Sequence, residues 1–331
     1  MGGSVAMQWH RSEVSGNSAP PPLRAHTMTL VKDKIFVFGG CDASVCFNTL
    51  YIFDPDSLWW AKAKTRGNIP PPCRAHSTNY ENNKLWVFGG GDGPYYYNHL
   101  YVLDCDTLTW SIPETTGVAP GPRRAHSSWI YDKALWIYAG GDGVQALGDM
   151  FKLDLATLAW TKVTGVMGSV PPPRGYHTST IVNNTVIMYG GSDGHECFSD
   201  IYIFHLEELR WNRIQYERPA YSRLSHTATL VGSFLFIIGG HDGTSYSSEV
   251  LMLNLITMEW EQRLVVGLES PGERGYHSAC YNDSRVFVFG GYNGQEVFND
   301  MFILDLSSVA YLTQTSDFEI TMLDDKKIIG I

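Results

Sequence analysis

The residues that first suggest chemistry are six evenly spaced histidines, His26, His76, His126, His177, His226 and His277. Imidazoles raise the prospect of metal ligation, but a metal site needs three donors that converge. Here an interval of about 50 residues hands one histidine to each of six separate repeats. Hydrogen bonding inside the framework is the role this spacing predicts, and no metal site is expected. Arginines stand two or three residues before the histidines: Arg24, Arg74, the pair Arg123 and Arg124, Arg174, Arg223 and Arg274. Guanidinium forks suit carboxylates and phosphates. The segments that hold them carry an excess of nine positive charges, in a chain of 331 residues whose formal net charge is −10.

A second group lies outside the repeat pattern. Tyr95, Tyr96, Tyr97, His195, His241, Tyr246 and Tyr292 fall in Asp-Gly-type turns, and adaptable aromatics beside arginines make a recognition surface. Six cysteines, at 41, 46, 73, 105, 197 and 280, show no C-x-x-C and no zinc spacing. With no secretory leader, they read as reduced thiols of a cytoplasmic protein, and the sequons at Asn183 and Asn282 as chance matches. No G-x-S-x-G, phosphate-binding loop or paired acid and base appears, so no catalytic residue and no cofactor are expected.

The elements that must position these residues follow from the repeat. Thirteen residues after each histidine comes a small pair, Gly39-Gly40 in the first copy and Ala139-Gly140 in the third. A polar residue and then a large aromatic follow in fixed register, the aromatics being Trp60, Trp110, Trp160, Trp211, Trp260 and Tyr311. Each copy holds four strand-like runs, and the middle two (IFVF and LYIF in the first) are apolar on consecutive residues, as in strands covered on both faces. Such units bury both faces only by stacking, so the fold class is all-β: a six-bladed β-propeller with four antiparallel strands per blade over 1–312. Trp9 precedes His26 as Trp160 and Trp260 precede their histidines, so the N-terminal strand is expected to close the last blade. Tyr311 competes for that place, and 313–331 is expected to be an exit segment.

In that architecture Arg24, Arg74, Arg124, Arg174, Arg223 and Arg274 are expected to ring the mouth of the central channel. The tyrosine and histidine hairpins share their face. Those hairpins also carry eleven acidic residues and no Lys or Arg, so ion pairing across blades is the competing use of any one arginine.

The apolar strand ending in Gly-Gly, followed at fixed distance by Trp, resembles the kelch repeat, from about Trp9 to Leu312. The longer linker form, Pro-rich with Arg and then His, is similar to fungal kelch proteins of Ras signalling and polar growth, and to the leucine-zipper-like regulator family. The resemblance implies a non-enzymatic scaffold in small-GTPase signalling or cell polarity. Its partner would be a protein or peptide with an acidic or carboxylate-bearing motif. An alternative is the substrate-recognition propeller of a cullin-type ubiquitin ligase, of which this chain would be a fragment. A kelch-fold enzyme is the remaining alternative. The nitrile-specifier members of that fold use Glu-x-x-x-Asp-x-x-x-His, but here Glu196 and Asp200 are followed by Phe204, with His205 one residue too late. A net negative charge excludes a general nucleic-acid binder, no apolar run spans a bilayer, and the oligomeric state is left open.

Overall fold

The computed structural model describes residues 6–215, 220–307, 322–323 and 327–328. Six antiparallel sheets stand side by side, each touching two neighbours through its innermost strand, so the arrangement closes on itself. Blade 1 runs outward through Thr27–Val31, Lys34–Phe38, Leu50–Asp54 and Trp59–Lys62. Blades 2–5 repeat this order from Ser77, Ser127, Thr178 and Thr227. Blade 6 takes Ser278–Asn282, Arg285–Phe289 and Met301–Asp305 from its own repeat and its fourth strand, Met7–Arg11, from the N-terminus. Trp9 stands opposite Leu304 as Trp60 stands opposite Phe53, so it is the sixth member of the tryptophan series. Tyr311 and most of the expected exit segment lie outside the described residues.

Consecutive apolar residues in the second strand feed two different interfaces. Ile35 and Val37 pack with Phe287 and Phe289 of blade 6, while Phe36 and Phe38 pack with Leu85 and Val87 of blade 2. Period-two alternation sends neighbours to opposite faces, and both faces are covered. The aromatic ending the second strand is held between two landmarks of the next blade. Phe38 lies 5.4 Å from the His76 ring and 5.0 Å from that of Trp110, centroid to centroid. Phe88 meets His126 and Trp160 in the same way, and Tyr138 meets His177 and Trp211. The tryptophans therefore cement blade to blade, as their spacing predicts.

Sequence reasoning missed one element. Among the described residues, in every blade but the fifth the entering linker lays a two-residue strand parallel to that blade's fourth strand, as Arg66–Gly67 does beside Thr109–Trp110. This covers an edge that would otherwise offer unpaired amides. Approach is so close that a Cβ on Gly67 would sit 2.2 Å from the Trp110 carbonyl oxygen, and its φ of +83° suits glycine alone. Gly16, Gly117 and Gly168 repeat the contact in their blades.

Candidate ligand-binding face at the channel mouth

The channel mouth is built by the residue just before each histidine. Ala25, Ala75, Ala125, Tyr176, Ser225 and Tyr276 share a left-handed backbone, φ 52–58°. Each donates its N–H to the carbonyl of its counterpart in the preceding blade, at 2.8 Å from Ala75 to Ala25 and 2.7 Å where Ala25 closes the circle on Tyr276. Left-handed geometry is unfavourable for residues with a Cβ, and this girdle of amides holds it in place. The histidines behind it are buried, and all but His26, whose ring packs edge to face on Phe289, bond to the hydroxyl that begins the neighbouring inner strand. Nε2 of His126 lies 2.9 Å from Ser77 Oγ, and that of His177 lies 2.8 Å from Ser127 Oγ. Burial pushes His76 down to about 4 and His26, His177, His226 and His277 down to about 3, so the rings are neutral framework donors and acceptors.

Upstream of the girdle the chain is extended, so arginines one residue apart take opposite directions. Three residues before the histidine the side chain turns into the blade. Arg174 and Arg274, expected at the mouth, are buried there and grip Asp200 and Asp300 with both terminal nitrogens, at 2.5 and 3.2 Å and at 2.6 and 3.1 Å. Arg223, also expected at the mouth, is buried against Glu249. Arg123 holds Asp149 at 2.8 and 3.3 Å in the same manner. Each pair spans 26 residues from linker to third strand. Where the position is Leu23 or Cys73, the residue 26 further on is Thr49 or His99, and the strut is gone.

Two residues before the histidine the side chain faces the mouth instead. Arg24, Arg74 and Arg124 pair through their backbones with Cys41, Gly91 and Gly141. The side chains of Arg24 and Arg124 reach back over the preceding hairpin. Arg124 donates from Nη2 to the carbonyls of Gly93 (2.5 Å) and Tyr95 (2.8 Å) and lies 4.0 Å above the Tyr96 ring. It lies over Gly91, where a Cβ would meet its Nε at 2.5 Å. Arg24 lies 4.7 Å over the Tyr292 ring. Among the described residues no carboxylate pairs with Arg24, Arg74 or Arg124. Nε of Arg24 and of Arg124 is buried without an acceptor.

Across the channel stand Tyr176 and Tyr276, which sequence reasoning missed, their rings meeting edge to face at 5.4 Å. Burial raises both phenols, and the charges of Arg74, Arg124 and Arg24 all pull Tyr176 back down, so its hydroxyl is within electrostatic reach of the three guanidiniums. Among the described residues no hairpin acid forms an ion pair with them, although Asp42 lies within electrostatic range of Arg24 and Asp92 within that of Arg124. Asp149, Asp200, Glu249 and Asp300 are taken by the struts. Asp42, Asp142, Asp193 and Asp242 turn back on the amides of their own turns.

Of the other expected residues, Tyr95 is exposed (69%), and His195 is exposed at its hairpin tip. Tyr96 carries Arg124, whereas Tyr97 is half-buried against the core between blades 1 and 2. His241 packs on Tyr246 at 4.6 Å, and Tyr246 lies 6.0 Å from Tyr292, extending the aromatic wall into the hairpins of blades 5 and 6. Cys41 and Cys46, expected as thiols, form a disulfide. They face each other between two hydrogen-bonded positions of the hairpin, where cross-strand side chains are closest. Asp200 is bound to Arg174 and Phe204 is fully buried, so the Glu196 and Asp200 spacing builds no open ligand set.

The KLHDC2/KLHL20/DRC7 Kelch-repeats domain matches residues 4–191 and again 165–320. A solved structure described as that of YjhT superposes with a TM-score of 0.68 over 87% of this chain and 96% of that one, at 13% identity, which is likeness of fold. A stretch of 55 residues is 34% identical to a probable serine/threonine-protein kinase of Dictyostelium discoideum, and covers 17% of this chain and 4% of that protein.

Proposed function

We propose, from the premise that this chain belongs to the kelch-repeat family of β-propellers, that it is a non-catalytic module binding a protein or peptide. The bound group is an acidic or carboxylate-bearing motif at the channel mouth of blades 1–3. Kelch propellers typically serve as protein-interaction modules. One observation carries the assignment to this face: Arg24, Arg74 and Arg124 converge on the mouth without an ion pair among the described residues, while every arginine one register away has one. Buried guanidinium without a counterion is costly, and an anionic partner removes that cost. A scaffold role in small-GTPase signalling or cell polarity, in the cytoplasm, extends this reading on the strength of the Pro-rich linker form at Pro20–Pro22.

Affinity capture with the full chain tests the face. Replacing Arg24, Arg74 and Arg124 together by Gln is expected to abolish retention of partners with the β-sheet fold retained by circular dichroism. The pair Lys84→Glu and Lys133→Glu, in first-hairpin turns on the opposite face, is expected to retain them. Loss by the lysine pair and retention by the arginine triple would place binding on the other side of the disc.

A further inference from the structure

The struts supply an internal measure of what satisfies a guanidinium in this fold. Asp200 neutralises Arg174 and Asp300 neutralises Arg274, one carboxylate to one arginine, each through two oxygens. At the mouth three guanidiniums gather and none is ion-paired among the described residues, Asp42 and Asp92 lying only within electrostatic range of Arg24 and Arg124. A single carboxylate brings one charge and two oxygens, and would leave two of these cations unmatched. A phosphate monoester brings a charge of about −1.5 to −2 and three terminal oxygens, each able to accept more than one hydrogen bond. Arg24 and Arg124 each hold a buried Nε–H without an acceptor, as the struts Arg223 and Arg274 also do, but only the mouth pair lacks a carboxylate ion pair as well. The opposite wall adds the phenols of Tyr176 and Tyr276, which can donate hydrogen bonds and bring no negative charge.

The surroundings of the arginines point to a chain rather than a free anion. On the same three blades the hairpin tips present apolar side chains to solvent, Val45 (54% exposed), Tyr95 (69%) and Val144 (93%). The corresponding tips of blades 4–6 are His195-Glu196, Thr244-Ser245 and Gln295-Glu296. Apolar side chains next to an anion site provide contact area for the residues flanking a charged group.

We infer that the group bound at the mouth of blades 1–3 is the phosphoryl of a phosphorylated peptide side chain, gripped by Arg24, Arg74 and Arg124 and flanked by Val45, Tyr95 and Val144. This rests on the reading that the mouth binds an acidic partner, and it names the acid.

The test uses the full chain and short, C-terminally amidated degenerate peptides that differ only at the central residue: phosphoserine, glutamate or serine. Binding is followed by fluorescence anisotropy, with inorganic phosphate and a serine peptide bearing a free C-terminal carboxylate as further arms. The phosphoserine peptides are expected to bind at least about tenfold more tightly than the glutamate peptides. They are expected to lose that advantage on phosphatase treatment and in Arg74→Gln, and to keep it in Lys133→Gln. Equal affinity for glutamate, or for the free carboxylate, would overturn the phosphoryl assignment while leaving the acidic-partner reading intact. Inorganic phosphate competing as well as the phosphopeptide would overturn the peptide. Binding unchanged by Arg74→Gln, or no binding in any arm, would overturn both readings.

Discussion

Blades 1–3 present arginine two residues before the inner-strand histidine, as Arg24, Arg74 and Arg124; blades 4–6 have Gly175, Leu224 and Gly275 there. The girdle position divides the same way, alanine in the first half and Tyr176, Ser225 and Tyr276 in the second. One register earlier the distribution is nearly reversed, with Leu23 and Cys73 followed by Arg123, Arg174, Arg223 and Arg274. Blade 3 holds both kinds side by side, and there Arg123 is bound to Asp149 while Arg124 faces the mouth over Tyr96. The same residue type is therefore mortar or bait according to its phase relative to the left-handed residue that follows. The halves differ beyond the mouth as well. Between blades 5 and 6 an open cleft of about 500 Å³ is lined by Asp242, Glu249 and Glu273 with serine hydroxyls, whereas the tips of blades 1–3 are apolar.

What the halves share is tested by acid, and this is the largest expected effect. The six framework histidines are neutral when folded, their pKa values held below the ordinary 6.5 chiefly by burial. The unfolded chain takes up protons near pH 6.5 that the folded chain refuses. Stability is thus fully present above that pH and drains as pH falls towards 3–4. The slope is about 1.4 kcal/mol per pH unit for each histidine, about 8 for all six once the unfolded chain is fully protonated. Thermal melts between pH 7 and 4.5 check it. A flat profile there would mean that the histidines are not buried neutral. A melt that loses one half of the disc before the other would show that the shared frame is not cooperative.

The struts come next. Arg174→Ala leaves Asp200, itself only 9% exposed, as an uncompensated carboxylate and is expected to cost about 3–5 kcal/mol by chemical denaturation. Leu23→Ala at the same register of blade 1 also destabilises, by about 2–5 kcal/mol, but through a cavity. A second change separates the mechanisms: Asp200→Ala added to Arg174→Ala is expected to return part of the loss, because it removes the orphaned charge. Thr49→Ala added to Leu23→Ala returns nothing. A strictly additive Arg174 and Asp200 pair would mean that the strut is packing rather than charge.

Much of this could be read before any coordinates. Histidine and small pair keep register through every copy, and tryptophan through five, because each is fixed by a contact between blades, and contacts that recur leave a period. Trp9 was legible as the closing strand for the same reason. The phase of the arginines was not, since summing charge over a linker treats Arg123 and Arg124 alike, while a one-residue step in extended chain reverses the side chain. A signal was present all the same: Asp149, Asp200, Glu249 and Asp300 stand 26 residues after Arg123, Arg174, Arg223 and Arg274, and Thr49 and His99 replace the acid where the arginine is missing. The mouth tyrosines left no period, because Tyr176 and Tyr276 meet across the channel from blades that are not adjacent. The two cysteines of the blade 1 hairpin face each other only once the turn between them is known.

That hairpin gives a smaller contrast between the halves. Cys46 is tied to Cys41 across six residues of chain, whereas Cys197, at the same register of blade 4, stands opposite Ser192 and is a free thiol. Closing so short a loop restrains the unfolded chain by about 2 kcal/mol in the chain-entropy account. Cys46→Ser is therefore expected to lower stability by up to that amount, and Cys197→Ser to change it by less than about 0.5 kcal/mol. Equal effects from the two variants would show that the disulfide adds nothing in solution.

The smallest effect on stability is expected at the mouth itself, and its sign matters more than its size. Arg74 is half-buried, bears no ion pair among the described residues, and lies close enough to Arg124 to lower that guanidinium's pKa, behind burial as the main cause. Two like charges held together by the girdle repel in the folded state and separate in the unfolded one. Arg74→Gln removes that repulsion while keeping a polar side chain of similar reach, so the protein is expected to melt at the same temperature or slightly higher, by no more than about 0.5 kcal/mol. Any gain should shrink as salt screens the pair, and be gone near 1 M, where the screening length is about 3 Å. Arg174→Gln, one register earlier and one half away, is expected to melt well below the parent at every salt concentration. Melting curves of the two variants at low and high ionic strength read both outcomes together. If Arg74→Gln fell as far as Arg174→Gln, the mouth arginine would be a strut as well, and the difference between the halves would be one of sequence alone.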